Sequence, residues 1–182
     1  MKILVVSDIH GDYLCCQKAL AAFDFLSADY LVLLGDLLYH GPRNPLPEGY
    51  DPAKVYQLLN KYKDKIIAVR GNCDSEVDQM VLDFNISDDF TFLSLKNRLV
   101  YLTHGHVYGP DKLPPGLTKN DVLLFGHIHE PIAERAADYF LGNPGSCSLP
   151  KPGYPMSYGL LTDTDFSVYD LDGKLILLQA FD

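Results

Sequence analysis

The first half of the chain alternates between short, almost continuously apolar runs and longer stretches with apolar residues at helical spacing. Continuous apolar runs are typical of strands that are covered on both faces. The pattern predicts strands at 2–7, 30–34 and 65–69, and helices at 12–25, 51–62 and 75–82. This βαβαβα order predicts a largely parallel sheet with right-handed crossovers.

The second half of the chain changes to closely spaced short strands with little helix between them. They are predicted at 90–95, 98–103, 121–125, 132–135, 139–142, 158–163, 166–170 and 175–179. Turn-forming residues at 163–165 and at Asp172-Gly173 indicate hairpins, so we expect a second, mainly antiparallel sheet. Two facing sheets with helices outside would give an α/β fold, a four-layer αββα sandwich, formed by a single domain over residues 1–182.

Composition and charge narrow the class of protein. The chain has 182 residues, 47% apolar and 21% charged, which suits one globular domain with a full core. Its net charge of −9 argues against a nucleic-acid-binding surface, which needs a basic face. No apolar run approaches the roughly 20 residues that cross a bilayer, and Asp8 and His10 interrupt the first run too early for a signal sequence. The four cysteines lack CxxC spacing, so we expect a cytoplasmic protein whose thiols stay reduced.

A side chain able to bind a metal follows five of the predicted strands. These residues are Asp8 and His10, Asp36, Asn72, His104, and His127 with His129. Ligands of open α/β sheets bind outside the carboxyl ends of the strands, so we expect these side chains to form one polar pocket. Asp8 and His10 are two residues apart, which points both side chains the same way in an extended chain. Asp36 comes 28 residues after Asp8, about one βαβ unit later, and should lie on the neighbouring strand.

The mixture of side chains in this set indicates the kind of ion. Asp, His and Asn together suit Mn²⁺, Fe²⁺ or Zn²⁺ better than Ca²⁺ or Mg²⁺ alone. Seven ligands are too many for one ion and fit two, which at about 3.5–4 Å apart can share a carboxylate and a water. Such a pair lowers the pKa of the water toward ~7 and can hold a phosphoryl oxygen during in-line attack.

Five ordered motifs carry a family resemblance. They are D-x-H at Asp8, GD at Asp36, GN at Asn72, H at His104 and GHxH ending at His129. In this order they resemble the calcineurin-like metallophosphoesterase family, and the segment 143–146 (NPGS) is similar to the loop that follows GHxH in that family. The longer strings GDLLYHGPRN, VRGNCDSEVDQM and THGHVYGP resemble a bacterial phosphodiesterase branch of the family over nearly the whole chain.

The resemblance implies a role for each ligand. A first ion would be held by Asp8, His10, Asp36 and His129, and a second, bridged by Asp36, by Asn72, His104 and His127. It implies hydrolysis of phosphate diesters by a metal-bridging hydroxide, with Asn72 and His104 in the catalytic site. Mn²⁺ is the expected ion, and Fe²⁺, Zn²⁺, Ni²⁺, Co²⁺ or Mg²⁺ would also suit the ligands. The expected partner is a small phosphate-ester substrate, and a homodimer or homotetramer is left open.

The sequence departs from the family pattern at Cys73. Many members have GNH[DE] where this chain has Gly71-Asn72-Cys73-Asp74, and that histidine can protonate the leaving group. A thiol has an unperturbed pKa of about 8.5 and matches this role less well than imidazole. We therefore expect a preference for esters whose leaving group needs little protonation, or another proton donor, for which His40 and His106 are the candidates. The alternatives are a phosphomonoesterase or nucleotidase, and a catalytically weak protein-binding scaffold like the phosphoesterase-like subunit of retromer.

Substrate contacts are assigned to residues in the loops. The Pro- and Gly-rich segments 41–49 and 109–116 leave from strand ends that carry ligands, and both are expected to rim the pocket. Arg43 and Asn44 either bind substrate phosphate, Arg43 by a bidentate contact, or belong to a solvated loop. His106 either touches substrate or braces His104 through a hydrogen bond.

Overall fold

Two β-sheets and three α-helices make up the computed structural model, which describes residues 1–181. The strands are β1 (Lys2–Val6), β2 (Tyr30–Leu33), β3 (Ile66–Ala68), β4 (Phe90–Leu95), β5 (Arg98–Thr103), β6 (Val122–Leu124), β7 (Pro131–Ala136), β8 (Tyr139–Pro144), β9 (Ser157–Thr162), β10 (Asp165–Asp170) and β11 (Leu175–Ala180). The helices are α1 (Tyr13–Leu26), α2 (Pro52–Leu59) and α3 (Glu76–Gln79). Each strand overlaps its predicted range.

Capping side chains determine where the helices begin. The Asp12 carboxylate accepts a hydrogen bond from Cys15 N at 3.1 Å ahead of α1, and Asp51 does the same for Lys54 N ahead of α2. Helix α2 ends before the predicted residue 62 because the chain tightens into a 3₁₀ helix at Asn60–Lys65. Helix α3 is a single turn with a capping box, shorter than the predicted 75–82.

The order of strands in the sheets differs in part from the prediction. The first sheet has the order β11-β10-β9-β1-β2-β3, in which β1, β2 and β3 are parallel, as predicted. The second sheet has the order β4-β5-β6-β8-β7, with parallel pairs in the centre and antiparallel pairs at both edges. The predicted second sheet is present, but it is mixed rather than mainly antiparallel, and β9, β10 and β11 extend the first sheet instead of joining it. Alternating apolar residues specify the buried face of a strand but not its neighbour.

Two hydrophobic cores hold the layers together. One lies between the helices and the outer face of the first sheet, and includes Leu20 and Phe23 of α1 and Leu59 of α2. The other fills the space between the sheets. The outer face of the second sheet carries a smaller cluster that is covered by Leu117 of the 105–120 segment, which contains the predicted loop 109–116. The single-domain α/β sandwich is confirmed, with this loop as its fourth layer.

The arrangement of the strands brings the predicted ligand segments to one edge of the sandwich. The chain leaves β1, β2, β3, β5 and β6 at their carboxyl ends directly into the five segments. Parallel strands have their carboxyl ends on the same side, so the segments meet there. None of the helices described within residues 1–181 has the length and apolar character needed to cross a membrane.

Candidate metal centre

Side chains from all five strand ends form a tight cluster at an open cleft of about 1150 Å³. Three groups have ligand atoms that all lie within 4.8 Å of one another: Asp8 with His10 and His129, Asp8 with Asp36 and His104, and His10 with Asp36 and Cys73. Asp8, His10, Asp36 and His104 are almost completely buried, with 0–2% of their surface exposed. Buried carboxylates and imidazoles at this density require protons or cations between them.

Main-chain carbonyls orient the histidine rings. The Nδ1 atoms lie at hydrogen-bond distance from three carbonyl oxygens, His10 from Tyr39, His104 from Leu34 and His129 from Leu149. A carbonyl oxygen only accepts, so each Nδ1 must donate its hydrogen, and in a neutral ring Nε2 then carries a lone pair. The Nε2 atoms of His10 and His129 lie 3.3 Å apart. Two lone pairs at this distance repel each other unless a proton or a metal ion is shared between them.

The Asp8 carboxylate is a second indication of a bound cation. Its Oδ2 accepts hydrogen bonds from Ser7 Oγ at 2.6 Å and from His127 N at 3.0 Å. Its Oδ1 is buried and accepts no hydrogen bond from the described part of the chain. This atom lies 3.2 Å from His129 Nε2 and 3.7 Å from His10 Nε2. A buried carboxylate oxygen without a donor is costly, and a divalent ion shared with the two rings would satisfy it.

Asp36 lies between the two halves of the cluster. Its Oδ1 accepts a hydrogen bond from Cys73 N at 2.8 Å, which fixes the orientation of the carboxylate. Its Oδ2 lies 3.7 Å from His10 Nε2 and 3.5 Å from His104 Nε2. The residues therefore fit two ions that share the Asp36 carboxylate, since one oxygen faces a ligand of each half.

The charges of the cluster shift its pKa values in the directions expected for a cation site. Burial raises the pKa of Asp36, but the His104 ring and its positive charge outweigh burial and leave it lowered. The pKa of Asp8 is likewise lowered, because the His10 and His129 rings and the charge of His104 outweigh burial. Burial opposes the charging of His104, yet Asp36 and Asp8 raise its pKa to about 9. The carboxylates thus hold a proton tightly at the position where a metal ion would replace it.

The backbone is left-handed at most of the ligands. Positive φ angles occur at Asp8 (56°), His10 (49°), Asp36 (55°), His127 (68°) and His129 (60°). This conformation costs a non-glycine residue about 1–3 kcal/mol and persists only where surrounding contacts enforce it. Here the contacts include hydrogen bonds from Asp8 N to Gly35 O at 3.1 Å and from His10 N to Asp36 O at 2.9 Å. The strain is a mark of a functional site, because the fold stabilises it in spite of its cost.

Asp74 organises the loops that carry two of the ligands. Its carboxylate accepts hydrogen bonds from the main-chain N–H groups of Asp36, Leu37 and Gly71, at 2.7–2.8 Å. Gly71 must lack a side chain, because a Cβ there would collide with the carboxylate of Asp36. The sequence analysis assigned Asp74 no role. An acidic residue two positions after Asn72 was the available signal.

Two serines support Asp8 from the opposite side. The hydroxyls of Ser146 and Ser148 both donate to the main-chain oxygen of Asp8, at 2.9 and 3.0 Å. The side chain of Asn143 donates to Gly126 O at 2.9 Å, just before His127. The segment 143–148 therefore fixes the positions of two ligand segments, although the sequence offered only its similarity to a family loop.

Comparison with known proteins identifies the family. The model of the calcineurin-like phosphoesterase superfamily domain matches residues 1–165. The chain belongs to the calcineurin-like phosphoesterase superfamily. The resemblance noted in the sequence is thus confirmed.

Similar proteins include both curated proteins and solved structures. The chain is 50% identical to phosphodiesterase YfcE of Escherichia coli K12 over 180 residues, which are 99% of this chain and 97% of the relative. The solved structure of the E. coli protein, described as a phosphoesterase, superposes with a TM-score of 0.97 over 100% of both chains. Phosphodiesterase MJ0936 of Methanocaldococcus jannaschii is 28% identical over 175 residues, 93% of this chain and 96% of the relative. Vacuolar protein sorting 29 of Cryptosporidium parvum shares the fold. It superposes with a TM-score of 0.64 over 100% of this chain and 97% of that one, and it is 19% identical in sequence.

Two of the predicted ligands lie at the margin of the cluster in this superfamily member. Asn72 is exposed, and its Oδ1 lies 2.9 Å from His104 Nε2, while its Nδ2 donates to Cys73 Sγ at 3.3 Å. The ring of His127 is 5.1 Å from the ring of His104, measured between centroids. Burial and the charge of His104 lower the pKa of His127, which favours its neutral, ligand-competent form.

The predicted substrate residues do not all reach the cleft. Arg43 and Asn44 line it, and so does Cys73. His106 is exposed beside the rings of His104 and His127, at 5.3 and 6.3 Å between centroids, and is not among the residues that line the cleft.

The loops that rim the cleft are only partly those predicted. The 41–45 part of the first predicted loop lines the cleft. Segment 109–116 contributes no lining residue among those described, so its expected place at the rim was wrong. Residues 149–152 take that place, tied to His129 by its ring and by a bond from Lys151 N to His129 O at 3.1 Å. Sequence reasoning missed this loop because no strand end with a predicted ligand leads directly into it.

Proposed function

We propose that this chain is a metal-dependent phosphodiesterase with a dinuclear centre. The observation that carries the proposal is the buried, donor-free Oδ1 of Asp8 facing the Nε2 atoms of His10 and His129. The position of Asp36 Oδ2 between His10 and His104 supports a second ion. The two relatives named as phosphodiesterases support the choice of diesters as substrates.

The chain supplies ligands for two ions. The first would be held by Asp8, His10, His129 and Asp36, and the second by Asp36, Asn72, His104 and His127. Divalent ions there would supply a hydroxide nucleophile near neutral pH and positive charge for the phosphoryl oxygens. The carbonyls of Tyr39, Leu34 and Leu149 keep the Nε2 atoms turned toward the centre, so the ligands are oriented before substrate arrives.

The cleft is suited to an anionic substrate although the chain is acidic. Two carboxylates against two dications leave the centre with a formal charge of about +2, which locally overrides the net charge of −9. Arg43 and Lys151 line the same cleft and add two cationic side chains. We infer that Arg43 contacts a phosphate oxygen, with Asn44 held beside it by a hydrogen bond to His40 O at 2.8 Å.

We infer the native ion from the ligands and the compartment from the thiols. We infer Mn²⁺ as the activating ion, because oxygen and imidazole donors are mixed in one site and the family resemblance favours it. We infer a cytoplasmic location, because Cys15, Cys16, Cys73 and Cys147 are all unpaired thiols.

A direct assay tests the function. The purified protein is expected to contain close to two divalent ions per chain, to hydrolyse bis(p-nitrophenyl) phosphate when supplied with Mn²⁺, and to lose this activity when the ions are stripped by a chelator. Readdition of Mn²⁺ should restore it, which excludes damage by the chelator. Stoichiometric metal without hydrolysis would overturn the proposal and favour a protein-binding scaffold.

Cys73 is expected to limit the choice of leaving group. Burial, followed by the charge of Asp36, raises the pKa of the Cys73 thiol to about 12, so the thiol does not give up its proton near neutral pH. A histidine at this position could protonate the leaving group, a contribution of about 10²-fold or more. Replacing Cys73→His is therefore expected to raise the ratio of monoester to diester kcat/KM by at least about tenfold. The control Cys73→Ser, which adds no imidazole, should leave the ratio near that of the wild type. An unchanged ratio in Cys73→His, with metal content intact, would contradict this role.

A further inference from the structure

Cys73 lies inside the ligand cluster, although neither of the two ligand sets proposed above includes it. Its Sγ, a ring nitrogen of His10 and a carboxylate oxygen of Asp36 all lie within 4.8 Å of one another. The side chain is partly buried and lines the cleft. His40, which the sequence analysis named as another proton donor or substrate contact, is not among the described residues that line the cleft. The sulfur of Cys73 is thus placed beside two ligands of the first ion.

The neighbours of Cys73 hold its sulfur in this position. Asn72 Nδ2 donates a hydrogen bond to Cys73 Sγ at 3.3 Å, while Asn72 Oδ1 lies 2.9 Å from His104 Nε2. The main-chain N–H of Cys73 donates to Asp36 Oδ1 at 2.8 Å. A Cβ at Gly41 would lie 3.3 Å from Sγ, so the main chain there also approaches the sulfur closely. Cys73 is therefore tied to both halves of the centre before an ion binds.

An independent observation indicates that a cation belongs next to this group. Asp8 Oδ1 is buried, accepts no hydrogen bond from the described part of the chain, and lies 3.7 Å from His10 Nε2. The ion that would satisfy this oxygen would also bind the ring of His10, which belongs to the group that contains the sulfur. An ion held there has a thiol among its neighbours as well as carboxylates and imidazoles.

We propose that Cys73 Sγ is an additional ligand of the first ion, used by a thiophilic ion such as Zn²⁺ and left unused by Mn²⁺. The inference rests on the dinuclear centre of the proposed function and goes beyond its ligand set. When Zn²⁺ binds in this way, the S–H bond breaks, a sulfur–zinc bond forms and the proton passes to water, with no change of oxidation state. Thiolates favour Zn²⁺, whereas carboxylates and water suit Mn²⁺. The sulfur therefore makes the site select between ions.

Metal binding in the absence of substrate tests the sulfur ligand. The affinity of Cys73→Ser for Zn²⁺ should be at least about tenfold lower than that of the wild type, because even the loss of a group that only orients a ligand costs this much. Its affinity for Mn²⁺ should stay within about twofold of the wild-type value, because Mn²⁺ does not use the sulfur. Competition calorimetry on the chelator-stripped protein measures both affinities.

A spectroscopic measurement identifies the sulfur directly. Wild-type protein loaded with Co²⁺, which serves as a coloured substitute for Zn²⁺, should show an intense sulfur-to-metal charge-transfer band in the near ultraviolet, and Cys73→Ser should lack it. Cys15→Ser is the matched control. It removes a buried thiol that contacts Met156 Sδ at 3.4 Å and belongs to none of the three ligand groups, so both the band and the Zn²⁺ affinity should remain.

The outcomes separate this inference from the proposed function. Equal Zn²⁺ affinity in the wild type and Cys73→Ser, or the same band in both, overturns the sulfur ligand even if the aryl diester is hydrolysed. A parallel fall in the affinities for Zn²⁺ and Mn²⁺ overturns the selection between ions. A band that depends on Cys73, without any diester hydrolysis in Mn²⁺, supports the sulfur ligand and overturns the phosphodiesterase. Failure of the wild type to bind any of the three ions overturns both.

Discussion

Replacing Asp36 with asparagine is expected to lower kcat/KM for bis(p-nitrophenyl) phosphate by about 10³-fold or more. The carboxylate lies between His10 and His104, and its Oδ2 is the oxygen that faces both halves of the centre. An amide has no charge, and its single oxygen cannot both accept the hydrogen bond from Cys73 N and face the two ions, as the two oxygens of the carboxylate do. The hydrogen bond from Cys73 N can persist if the amide oxygen takes the place of Oδ1, which would turn the NH₂ group toward the ions.

Metal content is the second measurement for Asp36→Asn, and it should fall from about two ions per chain to one or fewer. The matched control is Asp64→Asn, which neutralises an exposed carboxylate in the 3₁₀ helix and should leave both activity and metal content unchanged. Two ions per chain in Asp36→Asn, together with a rate within tenfold of the wild type, would rule out Asp36 as the shared ligand.

Asp74→Asn is expected to destabilise the protein by about 2–3 kcal/mol and to weaken metal binding about 10- to 100-fold. The carboxylate accepts from three main-chain N–H groups, and hydrogen bonds to a charged acceptor are the stronger kind. The oxygen of asparagine can serve at most two of these donors from one position, while its NH₂ group would face the third. Asp36 and Gly71 would both lose their fixed positions, so the loss should extend to the metal centre.

Urea denaturation and metal titration of the same preparation measure these two effects. Glu76→Gln is the control, because it removes one exposed negative charge only two residues away, on α3. If Asp74→Asn unfolds at the wild-type urea concentration and binds metal normally, the three hydrogen bonds do not organise the loops as described.

The strand ends could be predicted from the sequence because their signal is local. Runs such as those of β1 and β2 are almost wholly apolar, and each stops at a ligand-type residue, so both the strand and the segment that follows it are evident. The membership of β9, β10 and β11 in the first sheet could not be predicted in the same way. Strand β9 pairs antiparallel with β1 across some 150 residues of chain, and no local pattern encodes this contact.

Most of the candidate ligands could also be predicted, whereas their supports could not. Side-chain identity and spacing pointed to Asp8, His10, Asp36, His104 and His129, and the structure brings these five together. The groups that orient them are mainly backbone atoms, such as Tyr39 O and Leu149 O. Every residue has a carbonyl, so a sequence gives no sign of which one will accept a hydrogen bond from a ligand.

The use of main-chain oxygens to hold the imidazole rings has a consequence for how this protein can change. Positions 39 and 149 touch the ligands through atoms that every amino acid possesses, while their side chains face the cleft. Substitutions at these positions can alter which substrate the cleft recognises without altering the tautomers of His10 and His129. Selectivity and reactivity are thus separable traits in this scaffold, and these two positions are the natural ones to randomise when a new ester is to be accepted.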